Sequence, residues 1–132
     1  MKLISTYVHG VLDYIVGVVL IFAPEIFGLV EVAGVSEALP RLCGFIILIM
    51  AVSTNYEVGI FRLISMRTHI VADYLLGGVL ALSPWLFGFS NLPARYWLPH
   101  LIVGAAIVLV AAVTEPVPAP QPQAPRRAPG YR

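Results

Sequence analysis

His9-Gly-Val-Leu-Asp13-Tyr14-Ile-Val-Gly17 and His69-Ile-Val-Ala-Asp73-Tyr74-Leu-Leu-Gly77 stand 60 residues apart and share their His, Asp, Tyr and Gly positions. The match continues beyond them. Val19-Leu20 meets Val79-Leu80, Pro24-Glu-Ile-Phe27-Gly28 meets Pro84-Trp-Leu-Phe87-Gly88, and Gly44, Ile47, Ala51 and Thr54 meet Gly104, Ile107, Ala111 and Thr114. Apolar bias alone pairs Val with Val. It does not pair His, Asp, Tyr and Pro at one fixed offset, so the chain is an internal duplication.

The solvent of that duplication follows from composition. Apolar residues make up 59% of the 132, charged residues 11%, and the mean hydropathy is +0.89. A soluble domain averages about 45–50% apolar and about 25% charged. So few charges cannot cover a surface in water, because exposed apolar area is unfavourable in proportion to its extent. Lipid is the expected solvent, and 132 residues leave room for one domain.

Four apolar runs fit that solvent: roughly Tyr7 to Val30, Leu39 to Thr54, Ile70 to Phe89 and Trp97 to Thr114. A spanning helix needs about 20 residues, and in lipid the backbone has to pair its own polar groups within the segment. The turn-rich links Glu31–Ala38 and Ser90–Tyr96, with a more amphipathic one over Glu57–Arg67, predict antiparallel neighbours. The expected fold class is all-α, a four-helix transmembrane bundle of two tandem two-helix repeats. Both repeats enter the membrane in the same direction, so pseudo-two-fold symmetry about the membrane normal follows. The membrane domain is expected over 1–114, with repeat one at 3–57 and repeat two at 63–115. Lys2 precedes an apolar stretch as in a signal peptide, but His9 and Asp13 interrupt that stretch, so the first segment is expected to be retained as a helix.

Charge sets the expected orientation. Lys2, Arg62, Arg67, Arg126, Arg127 and Arg132 fall on the side of the N-terminus, against Arg41 and Arg95 opposite. Six against two predicts both termini in the cytoplasm of a multi-pass cell-membrane protein. Trp85, Tyr96 and Trp97 are expected to anchor the outer interface, and Tyr7 and Tyr56 the inner one. From Pro116 to Arg132 the chain changes to six prolines with Gln, Ala and Arg between them, which predicts a disordered, partly polyproline-II cytoplasmic tail. Pro122-Gln-Ala-Pro125 matches a PxxP ligand for a cytoplasmic partner, a pattern that any proline-rich stretch supplies cheaply.

Partners narrow in the same way. A net charge of +1 without a basic stripe excludes nucleic acid, and the lone Cys43 excludes an internal disulfide and a cysteine metal cage. The lipid bilayer is the partner required. A homo-oligomer or a second membrane protein is left open. Soluble-enzyme motifs are absent: there is no Gly-rich phosphate loop, no G-x-S-x-G and no Cys–His nucleophile pair, so the expectation leans to a non-enzyme.

Ser83-Pro84-Trp85-Leu-Phe-Gly88 closes the first span of the second copy, and a turn and another span follow it. This resembles the SPW repeat of small prokaryotic membrane proteins, over roughly residues 5–114. The first copy carries Ala23-Pro24-Glu25 in place of the namesake triplet. The resemblance implies a membrane location and a repeated two-span unit. It brings no activity or cofactor.

Chemistry has one place to reside. His9 and Asp13 share a helix face, as do His69 and Asp73. A lone carboxylate at that depth costs on the order of 2.5–3.5 kcal/mol to insert, so both aspartates are expected to face the bundle interior. The second and fourth spans end on the same side, which predicts a polar cluster of His9, Asp13, Tyr14, Asn55, Glu57, His69, Asp73, Tyr74, Thr114 and Glu115, with Arg62 and Arg67 as counter-charge. A structural pair locking the two halves together stands first among the roles. A proton or ion path stands second. The third is a cofactor: a haem held axially by His9 and His69, or a divalent metal held by His9, His69, Asp13 and Asp73.

Overall fold

The computed structural model describes residues 3–32 and 34–118, and the tail expected over 116–132 lies outside them from residue 119 on. Four helices form: α1 (Thr6–Ile26), α2 (Val35–Ser53), α3 (Met66–Leu86) and α4 (Ala94–Val113). Each is long and apolar enough to cross a membrane. Among the described residues there is no strand beyond two isolated bridges, and the all-α bundle of two helix pairs is as the duplication predicts.

Local signals repeat at the same offset. Ser5 and Ser65 cap α1 and α3, each accepting from the backbone N–H three residues on, at 3.3 and 3.1 Å. At the other end Phe27 and Phe87 close the last turn through N–H bonds to Ala23 and Ser83, both 2.9 Å. Gly28 and Gly88 follow at φ 69° and 75°, a left-handed conformation that glycine adopts without a Cβ penalty. Pro24 and Pro84 lie just inside these helix ends, where little of the hydrogen-bond ladder remains to lose.

The second and fourth helices begin earlier than the apolar runs predict, at Val35 and Ala94 rather than near Leu39 and Trp97. Pro40 and Pro99 therefore fall within α2 and α4. A proline has no N–H to give its i−4 carbonyl, which leaves the Ser36 carbonyl without that donor. His100 Nε2 donates to it at 3.0 Å from α4. His100 is the position equivalent to Pro40 in the other repeat, so the duplication has put a donor where its own partner copy needs one.

Packing is tightest within each repeat. α1 runs along α2 and α3 along α4, whereas between repeats α2 packs on α3 and α1 scarcely meets α4. Glycines permit the intra-repeat contact. A Cβ on Gly44 would meet the Gly17 carbonyl oxygen at 2.6 Å, and one on Gly104 would meet the Gly77 carbonyl oxygen at 2.5 Å and the Ala81 backbone as well. Those neighbours are backbone and cannot rotate away. Gly104→Ala is expected to lower stability by about 1–3 kcal/mol, the usual range for overpacking. Gly78→Ala is the matched control, since a Cβ there meets nothing within 4 Å. Thermal unfolding of both variants in the same detergent checks the difference.

Leu20, Cys43, Ile47, Leu80 and Ile107 form the apolar layer between the helix pairs. The repeat termini are clipped crosswise below it. Ile4 pairs with Thr114 in one parallel bridge and Ile64 with Thr54 in the other, so each repeat's start is held by the other repeat's end. The bonds Glu115 N–H to Ile4 carbonyl (2.9 Å) and Asn55 N–H to Ile64 carbonyl (2.8 Å) repeat that exchange. At the opposite end of the bundle Arg41 bridges Glu25 and Glu37, and Arg95 with Tyr96 holds Glu31. Trp85 and Trp97 lie there with ring centroids 5.8 Å apart, the position expected of interfacial anchors.

Candidate metal centre

The crosswise clips fix two threonines, and the threonines fix two histidines. Thr54 Oγ1 donates its single proton to the Met50 carbonyl at 2.7 Å, and Thr114 Oγ1 donates to the Val110 carbonyl at 2.6 Å. Towards a third atom each hydroxyl can then only accept. That third atom is a histidine Nδ1 from the opposite repeat: His69 on Thr54 at 2.7 Å, and His9 on Thr114 at 2.9 Å. A neutral imidazole here carries its proton on Nδ1 and presents Nε2 as a bare lone pair. Both Nε2 atoms turn the same way, into the space between α1 and α3.

Two carboxylates wait in that space. Asp13 and Asp73 lie one turn along from their own histidines, and the near two-fold brings each against the other's. His9 Nε2 is 3.0 Å from Asp73 Oδ2, and His69 Nε2 is 3.1 Å from Asp13 Oδ2. The within-repeat separations are both 3.3 Å. None of these contacts directs a hydrogen at its acceptor. His9 Nε2, His69 Nε2 and the Oδ2 atoms of Asp13 and Asp73 are all buried without a hydrogen-bond partner. The residues themselves are 0–8% exposed. One ligand atom from each of the four lies within 4.8 Å of every other.

A buried polar atom without a hydrogen bond is costly, and one such atom in a native structure calls for an explanation. Four aimed at a common point have a simple one: a small cation. The donor set of two imidazole nitrogens and two carboxylate oxygens suits a divalent ion such as zinc, manganese or iron. The threonines supply the outer contact that orients a ligating imidazole. A haem does not fit. The plane its macrocycle needs between His9 and His69 is taken by the two aspartates, and the imidazole centroids are only 5.2 Å apart.

The cluster expected from sequence thus divides. His9, Asp13, His69 and Asp73 converge, with Thr114 behind them. The rest stand apart. Tyr14 donates to the Val58 carbonyl at 3.1 Å, Tyr74 is largely exposed, and Glu57 accepts from Thr6 at 2.7 and 2.8 Å. Asn55 and Glu115 are exposed and contribute backbone N–H groups to the clips. The quartet's ion pairs are with its own members, not with Arg62 or Arg67.

Two positions beside the quartet are not reached from the sequence. Thr54 is one, although sliding Thr114 back by 60 residues finds it. Tyr56 is the other. Expected as an interfacial anchor, it is 1% exposed and covers the quartet from below, its ring centroid 5.9 Å from that of His69. Burial, with Asp13 and Asp73 nearby, pushes its phenol well above the ordinary value and keeps it protonated. Nothing short of the fold marks an aromatic just past a span as buried.

Comparison with known proteins adds the family. A model described as the SPW repeat domain matches residues 7–114. No curated protein and no solved structure matches the chain.

Proposed function

The chain belongs to the SPW repeat domain family, and on that footing we propose that its two repeats together bind one divalent transition-metal ion between His9, Asp13, His69 and Asp73. The observation that carries this is the convergence of four buried ligand atoms that no hydrogen bond satisfies. Spacing supports it. Ligands about 2.0–2.2 Å from an ion at the centre of a tetrahedron stand roughly 3.3–3.6 Å from one another. The nitrogen–oxygen separations here are 3.0–3.3 Å, and one ligand atom from each residue lies within 4.8 Å of every other, a span that one ion can bridge. Charge supports it too: two carboxylates and a divalent cation sum to zero, which a low-dielectric interior requires.

The metal thereby rises above the structural pair that the sequence places first. It keeps that role as well, since the ion takes ligands from both repeats and joins them. A through-membrane proton path has less behind it, because the next layer along the bundle is Leu20, Cys43, Ile47, Leu80 and Ile107. The lysine and arginine count, six against two, supports placing the quartet in the cytoplasmic half of a cell membrane with both termini inside.

Purified protein equilibrated with zinc and then washed with a weak chelator is expected to retain about one ion per chain by elemental analysis. Asp13→Asn with Asp73→Asn, which keeps the side-chain shape, is expected to retain none. Wild-type protein that stays metal-free after zinc, manganese and ferrous iron in turn overturns the proposal and leaves the quartet as two ion pairs clamping the repeats.

A further inference from the structure

Three of the quartet's side chains also line a cleft. Where α1 and α4 part, this cleft of about 220 Å³ runs between them, with His9, Asp13 and Asp73 at one end and Val19 and Ile102 towards the other. From His9 to Val19 it follows ten residues of α1, about 15 Å at the helical rise. Apart from those three polar side chains its lining is aliphatic, from Leu12 and Val16 to Ile107.

The two-fold partner of this cleft would lie between α3 and α2, and there the helices pack together. Sequence explains the difference. Ile46 and Met50 on α2 occupy the positions that Ala106 and Val110 occupy on α4, a larger pair on the packed side and a smaller pair at the cleft. Leu12 for Ala72 is the opposite exchange, and it does not close the cleft.

We propose that the cleft takes a single-chain amphiphile from the surrounding leaflet, a long-chain carboxylic acid whose carboxylate adds to the metal ion as a further ligand. This rests on the metal proposal. Inside a bilayer the solvent of an open apolar cleft is acyl chain, because water has no partners there. The polarity of the cleft runs the same way as that of an amphiphile in the leaflet nearer the termini: polar at the depth of His9, apolar towards the middle. Its volume is below the 300–1,000 Å³ usual for small-molecule pockets, and its length of about ten helical residues suits a slender chain. Charge sets the final condition. An anionic head without the metal would meet two aspartates and be repelled, whereas the neutral ion-filled quartet accepts it, and zinc-type ions can expand from four ligands to five. Binding is therefore metal-dependent.

Cobalt(II) is the probe, because its visible spectrum reports its ligand set. Full-length protein in phosphatidylcholine nanodiscs is loaded with cobalt and titrated with palmitate or with acetate. Palmitate is expected to shift the bands at near-stoichiometric amounts, and acetate at the same concentration to leave them unchanged. Ala106→Ile with Val110→Met, the residue types of the closed side, is expected to keep the cobalt spectrum and lose the palmitate shift. Cobalt bands indifferent to palmitate overturn this proposal alone, as does an equal response to acetate or a shift that survives in the filled-cleft variant. No cobalt spectrum in wild-type protein overturns the metal site and this proposal with it.

Discussion

His69→Ala is expected to abolish the metal-dependent part of the protein's stability. A ligand that binds only the folded state stabilises it by RT ln(1 + [L]/Kd), about 2.7 kcal/mol when the free ion stands at a hundred times its dissociation constant. Wild-type protein is expected to show that gain as its unfolding midpoint rises with added zinc, and to lose it on chelation. The substitution removes one of the four proposed ligands and the imidazole that ties Thr54 to the quartet. It also lowers stability without metal, because a buried ion pair that loses one member leaves an uncompensated charge, typically at 3–5 kcal/mol. Baseline and slope thus carry separate information. A fall in baseline alone marks a structural pair, whereas a flat response to zinc beside a rising wild type marks a ligand. Differential scanning fluorimetry across a zinc series reads both, and a variant that still rises with zinc removes His69 from the site.

How far the chain announces this site depends on which residues one follows. The duplication was legible because His, Asp, Tyr and Pro recur at one offset in an apolar background, and from it the helix pairing and the near two-fold follow directly. His9, Asp13, His69 and Asp73 were legible for the same reason: ionisable groups in a span are too costly to face lipid. The orientation of the imidazoles was not. It depends on Thr54 and Thr114, whose hydroxyls are aimed by the crosswise clips to Ile64 and Ile4, and a contact spanning 105 residues, as between His9 and Thr114, has no local signature. Tyr14 and Tyr74 misled for a related cause. They sit beside the aspartates in sequence, yet consecutive helical residues point about 100° apart, so Tyr14 turns to Val58 and Tyr74 turns outward. The cleft between α1 and α4 was hidden by the symmetry itself. A shared pattern predicts two equal interfaces, and they are separated by exchanges at single positions, among them Ile46 and Met50 for Ala106 and Val110.

Thr54→Val and Thr114→Val test the step on which the metal centre turns, the fixed tautomer of each histidine. Valine keeps the branched shape and deletes the hydroxyl, so packing changes little while the Nδ1–H loses its acceptor. The unpaired donor costs about 1–3 kcal/mol, and the ring is freed to move its proton to Nε2, where it blocks the metal. Each substitution is expected to weaken zinc binding 10–100-fold, the range found when the outer partner of a ligating histidine is removed. Thr54→Ser and Thr114→Ser keep the hydroxyl and are expected to restore most of it. The crossing of the repeats adds a sharper form of the test. Thr114 serves His9 and not the histidine of its own repeat, at a separation of 2.9 Å, while Thr54 serves His69. In a double-mutant cycle on metal-free stability, Thr114→Val and His9→Gln are expected to couple by roughly 0.5–3 kcal/mol, as contacting residues do. Thr114→Val with His69→Gln is expected to show a smaller coupling. The reverse order, or valine variants that bind zinc like the wild type, would mean that the hydroxyls do not orient the ligands, and the lone pairs on Nε2 would lose their physical basis.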